Sequence, residues 1–156
     1  MAASKDGTVT VNRRARRDYE ILETMVAGIV LTGAEIKSIR NGRVNISQAY
    51  AQERDGEMWL INAHVSAYHG AGGFSEHDPL RHKKLLLQRR QIKYLAAKIT
   101  EQRIAVVPLK LFITRHLAKL ELGVGRGRRS YDKRAVVAAR DADRDMRRSM
   151  KLTDRQ

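Results

Sequence analysis

The stretch Val107-Pro108-Leu109-Lys110-Leu111-Phe112-Ile113-Thr114, followed after three residues by Ala118-Lys119-Leu120-Glu121-Leu122-Gly123-Val124, decides the fold class. Val107, Leu109, Leu111 and Ile113 recur at every second position. Leu120, Leu122 and Val124 do the same around Lys119 and Glu121. A period of two sets one face of a strand on a core and the other in water. Working outward, residues 57–68 repeat the pattern: Trp59, Ile61, Ala63 and Val65 share one face, with Asn62 and His64 on the other. Residues 44–52 precede them across Glu53-Arg54-Asp55-Gly56, whose Asp-Gly pair is a strong hairpin signal. Residues 8–11 are rich in β-branched side chains, and residues 19–25 and 28–31 read as one strand interrupted near Ala27-Gly28.

Two helices interrupt the strands. Thr32-Gly33-Ala34-Glu35 fits a capping box, and the helix it opens runs to about Arg40, where Asn41-Gly42 supplies a stop. Residues 89–102 carry an apolar stripe of Ile92, Leu95, Ala96 and Ile99. Residues 68–82, loosened by Gly70, Gly72 and Gly73 and turned by Asp78-Pro79, read as a surface loop. Many short strands with few helices predict a mainly β chain, arranged as an OB-like antiparallel β-barrel, since closure removes exposed edges.

The chain divides into a basic N-terminal arm (residues 1–17), a β-barrel domain (8–125) and a flexible basic C-terminal tail (126–156). Gly123, Gly125 and Gly127 mark a hinge before the tail. The tail has helix-forming residues but no wide apolar stripe, so it is expected to be disordered when free and to fold on a partner.

Charge supplies the first functional clue. Lys and Arg number 31 against 17 Asp and Glu, a formal net charge of +14. That exceeds the 2–8 or so that solubility alone asks of a small domain and points to a polyanion. The excess sits at the ends: five basic side chains against one acidic over residues 1–17, and eleven against five over 126–156. Arms of this kind embrace nucleic acid. The absence of cysteine excludes disulfides, thiol catalysis and thiolate metal sites, and is compatible with a reducing cytosol. Residues 1–7 lack the apolar segment of a secretory signal, and no apolar run is long enough to cross a bilayer. The expectation is a cytoplasmic chain with no membrane partner, and a monomer, because no apolar stripe is left over.

Within the arm, Arg13, Arg14, Arg16 and Arg17 offer planar forks suited to phosphate. Arg81-His82-Lys83-Lys84 precedes the apolar run Leu85-Leu86-Leu87 and reads either as a basic rim or as a solvated loop entering a core strand. His77, Asp78 and His82 lack the third and fourth ligands a zinc site needs, so no metal and no cofactor is expected. Glu20 and Glu23, or Asp141, Asp143 and Asp145, are carboxylates at close spacing, but pairing with neighbouring arginines explains the latter. Gly123-x-Gly125-x-Gly127 does not have the spacing of a dinucleotide fingerprint, and Arg126, Arg128 and Arg129 follow as a basic hinge. Tyr131 among Arg128, Arg129, Lys133 and Arg134 has the makings of a base-stacking site. Three classes compete: an RNA-binding adaptor without catalysis, a general ribosomal or single-strand-binding barrel, and a nuclease acting on RNA.

Taken in order, the segments that run from Asn12 to Arg16, Ala27 to Arg40, Asp78-Pro79-x-Arg81, Lys84 to Leu87, Val107 to Leu111, Gly125 to Arg128 and Tyr131 to Arg134 resemble the SmpB family. The likeness spans about residues 8–151. It implies an OB-type barrel that binds the tRNA-like domain of transfer-messenger RNA (SsrA RNA), and a role in ribosome rescue by trans-translation. The RNA would be delivered to stalled ribosomes lacking a codon in the A site, with the tail in the empty messenger channel. Carried over by position, Asn12, Arg13, Arg14, Arg16, Leu86 and Lys119 meet the RNA, with Arg17, Lys84, Arg126 and Arg128 added from their charge and place. Tyr131, Asp132, Lys133 and Arg134 would lie near the decoding centre, and Met150 and Lys151 further along the tail. The chain departs from the family at Arg17, where His is usual, at Val26, where an acidic RNA contact is usual, and at Arg103-Ile104, where Gly-Tyr is common.

Overall fold

A computed structural model describes residues 7–67, 77–101, 103–128 and 130–153. The long strands appear where the period-two pattern places them: β8 (Ile104–Thr114) and β9 (Leu117–Gly127) pair along their whole length, joined by Arg115 and His116 at positive φ. Two left-handed residues form the turn whose twist matches that of a hairpin. Asp55 and Gly56 do the same between β4 (Tyr50–Arg54) and β5 (Glu57–Ile61).

The remaining elements are β1 (Gly7–Val11), α1 (Arg13–Asp18), β2 (Tyr19–Ile29), α2 (Gly33–Arg40), β3 (Val44–Asn45), β6 (His64–Val65), β7 (Lys83–Leu86), α3 (Arg89–Thr100) and α4 (Ser130–Thr153). Seven strands form one antiparallel sheet in the order β1-β8-β4-β5-β7-β2-β9, and β9 also pairs with β8. The hydrogen-bonded neighbours therefore trace a circuit from β8 through β4, β5, β7, β2 and β9 back to β8. Met58, Leu60, Leu85, Val106, Leu111, Leu120 and Leu122 fill the core, all at most 2% exposed.

Several expectations change. The residue-44 and residue-57 strands each break in two: Asn62 takes a positive φ, which switches faces. Met58 and Leu60 enter the core instead of Trp59, while Ile61, Ala63 and Val65 stay buried. Strand β2 runs unbroken past Ala27-Gly28, and its irregularity falls between Ile21 and Glu23. The three tail glycines are strand residues rather than a hinge. A Cβ on Gly123 would come within 2.8 Å of the Leu109 side chain, so the missing side chain is a packing requirement. The sheet extends to Gly127, which places Arg126 and Arg128 on the body. The loop at residues 68–76 lies outside the described residues.

The N-terminal arm is also part of the body. Asn12, 2% exposed, caps α1 by accepting from Ala15 N (3.1 Å). Its amide donates to Ile46 O (3.1 Å) and Pro108 O (2.8 Å), and its backbone N–H donates to Leu109 O (2.7 Å). Ala15 packs against Val107 and Leu109. Beyond the sheet, a helix stands in α4 where the free tail was expected to be disordered. Its residues favour helix, and Arg147 pairs with Asp143 one turn back (3.1 Å). Its described side chains are exposed.

Replacing Asn12 with Ala strands two buried carbonyls and removes a cap. Urea unfolding is expected to show a loss of about 2–4 kcal/mol. A variant as stable as the parent would show that α1 is held by other contacts.

Candidate nucleic-acid interface

The structure divides the basic residues singled out from the sequence into two groups. The first lies on the outer face of β7, β2, β9 and β8. Register sets Leu86 opposite Gly28, Gly28 opposite Lys119, and Lys119 opposite Phe112, so the four form one row across the strands. Leu86 is 54% exposed. It lies over Gly28, where a Cβ would stand only 3.2 Å from its own Cβ. The next row is Val26, Glu121 and Lys110, and the Lys110 ammonium sits 5.3 Å from the centre of the Phe112 ring. Lys84 is beside Glu57 (3.3 Å) on the neighbouring strand.

Leu22 and Val26 stand exposed along β2, Val30 just past its end, and Leu86 on the neighbouring strand opposite Gly28. This corrects the sequence reading that no apolar stripe is left over. Lys110, Phe112 and Glu121 were also missed as site residues. The signal was present in the alternate positions of the strands that revealed the fold, since whatever is out of phase with the core faces outward.

The second group gathers at the far end of β2. Arg13, Arg14, Arg16 and Arg17 are exposed on α1, and Asp18 accepts from Arg14 (3.2 Å) and Arg17 (3.1 Å). Glu20 is opposite Arg126 and Tyr19 opposite Gly127, while Arg128 N donates to Asp18 O (2.8 Å). Arg103, at positive φ, donates to Gly127 O (2.5 Å) and joins this group. Gly28 and Glu20 lie eight positions apart on the strand, which is roughly 25 Å along it. Asn12 does not face outward with its neighbours: its side-chain oxygen accepts from Ala15 N and its amide donates to two buried carbonyls, which positions the helix that holds the arginines. Helix α4 starts beside α1. On it, Arg134, Met150 and Lys151 are exposed, and the side chains of Tyr131, Asp132 and Lys133 lie outside the described residues.

The Arg81–Lys84 run is only partly a basic rim. Glu35, fully buried, closes the α2 capping box with Thr32 and takes a two-pronged hydrogen bond from Arg81 (2.5 and 3.2 Å). Lys83, 1% exposed, lies 3.6 Å from Glu35 and donates to Ala63 O and Arg81 O. Burial alone would raise the Glu35 pKa, but hydrogen bonds from Arg81 and Thr32 and the charges of Lys83 and Arg81 hold it below the ordinary value. Burial, helped by the charge of Arg81, pulls the Lys83 ammonium down against Glu35. The two histidines nearby also have structural partners. His77 Nε2 donates to Val65 O (2.9 Å), and Arg54 donates to His82 Nδ1 (3.4 Å). Among the described residues no cluster of metal-ligating side chains occurs, and no helix is long and apolar enough to cross a membrane.

Fold and surface together define a small antiparallel-sheet protein with two separated basic regions. The family model described as SmpB protein matches residues 9–152. Among curated relatives, an SsrA-binding protein of Ligilactobacillus salivarius is 46% identical over 147 residues, 94% of each chain. One from a Nostoc species is 49% identical over 143 residues, 92% of each. A solved chain described by the words "tmRNA-SmpB: a journey to the center of the bacterial ribosome" superposes with a TM-score of 0.66 at 41% identity, covering 82% of this chain and 93% of that one. The chain belongs to the SmpB family.

The buried charges make a direct test. Glu35→Gln leaves Lys83 without its counter-charge and is expected to cost about 3–5 kcal/mol in urea unfolding. Because the folded-state pKa of Glu35 is depressed, its contribution is full above the ordinary value of 4.5 and is lost as pH falls through the lower folded value. The variant should lack that part of the acid sensitivity. An unchanged pH profile would show that Glu35 does not carry it.

Proposed function

We propose that this chain is a cytoplasmic adaptor, without chemistry of its own, that binds transfer-messenger RNA and brings it to stalled ribosomes for trans-translation. Membership in the SmpB family supports this reading, as do the names of its relatives. The observation that carries it on this chain is the Leu86–Gly28–Lys119 row, an exposed apolar side chain beside a cation on a rigid sheet. We read the closed circuit of strand pairings as an OB-like barrel, and its outer face as the platform for the tRNA-like domain. The lysines meet phosphates, while Leu86 and the apolar side chains of β2 cover unstacked bases or sugars. RNA would then cover the stripe on β2, and the chain acts as a monomer.

The second group, roughly 25 Å away along β2, is free to meet a different RNA at the same time. Arg13, Arg14, Arg16, Arg17, Arg126 and Arg128, which the sequence reading assigns to the transfer-messenger RNA, stand where α4 begins and away from the platform, and for that reason we assign them with the tail to the decoding region of the ribosome instead. Tyr131, Asp132, Lys133 and Arg134 would lie closest to it, with Met150 and Lys151 further along the messenger channel. In the free protein the tail exchanges between coil and helix, since it has no core to pack on, and the channel fixes the helix.

Binding to the isolated tRNA-like RNA tests the platform. Lys119→Ala should weaken it and reduce the slope of log affinity against log salt by about one, and Leu86→Asp should weaken it about tenfold or more. A chain ending at Arg128 keeps β9 whole and should bind this RNA like the full protein while failing to support tagging. Loss of RNA binding on truncation would shift the platform to the tail, and equal affinity for any single strand would favour a general binder.

A further inference from the structure

Strands β4 and β8 share a single register pair, Ala51 with Val106. On either side of that pair they diverge, and α1 and the end of α3 frame the opening. The result is a cleft of about 500 Å³ with an apolar floor, walled by Tyr19 and by Tyr50, whose ring is on a residue 39% exposed. The Arg14–Asp18 pair stands at its rim. A second cleft, of about 470 Å³, is lined by Arg103 and Arg128. Tyr19, Ile104 and Ala105 line both, so the two adjoin. Among the described residues, Arg128 Nε is buried without a hydrogen-bond partner. Within those described residues no acceptor spends that edge of the guanidinium, an unusual state for a buried donor.

We propose that the joined clefts bind one unstacked nucleotide of a single-stranded RNA segment, its base between Tyr19 and Tyr50 and its phosphate at Arg103 and Arg128. Unstacked bases are taken up by aromatic faces over apolar surface, and the Arg fork matches phosphate oxygens. The cleft mixes an apolar floor of Ala51, Ile104 and Val106 with polar side chains such as Ser47, Gln48 and Gln52 that can bond a base edge. The site is separate from the sheet face. It rests on the reading that the α1 end of the molecule meets RNA, and it adds a pocket that captures a single base to what would otherwise be phosphate contacts alone.

The test uses the full chain, with adenosine 5′-monophosphate, adenosine and inorganic phosphate as probes, and NMR of labelled tyrosine rings and arginine side chains as readout. The nucleotide should move the Tyr19 and Tyr50 signals and those of Arg103 and Arg128. Tyr50→Ala should weaken it about fivefold, the scale of one base–aromatic stack. Arg128→Gln should weaken it to a similar degree, about fivefold, but leave adenosine unaffected. Tyr50→Ala should keep the parent's unfolding midpoint and its affinity for the tRNA-like RNA, which the sheet face holds. If the tyrosines do not respond at saturating nucleotide while that RNA still binds, the pocket is overturned and the adaptor reading stands. If the parent fails to bind the RNA, the adaptor reading falls. If the nucleotide then still binds, the pocket is a free-nucleotide site and the extruded-base proposal falls as well.

Discussion

The side-chain amide of Asn12 ties α1, the carbonyl of Ile46 ahead of β4 and the carbonyl of Pro108 in β8 together at one buried point. Its two N–H groups reach the carbonyls of Ile46 and Pro108, and its oxygen starts α1. The strands need this tie, because β4 and β8 meet at a single register pair and the carbonyls near the gap would otherwise face an apolar interior. A carbonyl left alone there costs more than an ordinary hydrogen bond gains. One buried polar side chain therefore holds the seam and aims a six-residue helix with four exposed arginines. Such a helix is far too short to persist by itself.

A comparable arrangement fixes the opposite side of the sheet. Glu35 ends the α2 capping box and at the same time neutralises Arg81 and Lys83 where the chain enters β7. Two charges out of water, Glu35 and Lys83, are tolerated because each is hydrogen-bonded, with the half-buried Arg81 closing the cluster toward solvent. This sets the start of β7, hence the register that brings Leu86 over Gly28 and in line with Lys119. The exposed face thus inherits its geometry from a charge cluster beneath it, and from the absence of a side chain at one glycine.

Much of the fold was legible because its long strands obey a strict alternation and its turns have diagnostic residues. The α2 capping box, the Asp55-Gly56 turn and the β8 and β9 phases fell where the residues placed them. The short helix α1 was not legible, since it buries only Ala15 and a single apolar residue has no period. Trp59 misled because it alternates with Ile61, Ala63 and Val65, whereas the alternation changes phase next to the positive-φ Asn62, so that Met58 and Leu60 face the core ahead of it. The site was half visible. Positive residues were easy to name, but their division between two ends of β2 depends on pairings between strands distant in sequence. Arg81 and Lys83 looked like surface cations because their partner, Glu35, lies 46 and 48 positions earlier. Asn12 was read as a contact because it adjoins arginines, and only the structure turns it inward.

Helix α4 adds a ruler to a molecule otherwise built as a rigid sheet. Its 24 residues correspond to a length of about 36 Å and rather more than six turns. Spacing along it is quantised: one inserted residue lengthens the rod by ~1.5 Å and swings everything beyond through about 100°. Met146 and Met150, a turn apart and both 63% exposed, would leave their azimuth together, while a seven-residue insertion nearly restores it at a longer reach. The separation between body and tail tip is thus written in residue count, and the phase of the tip in that count modulo the turn.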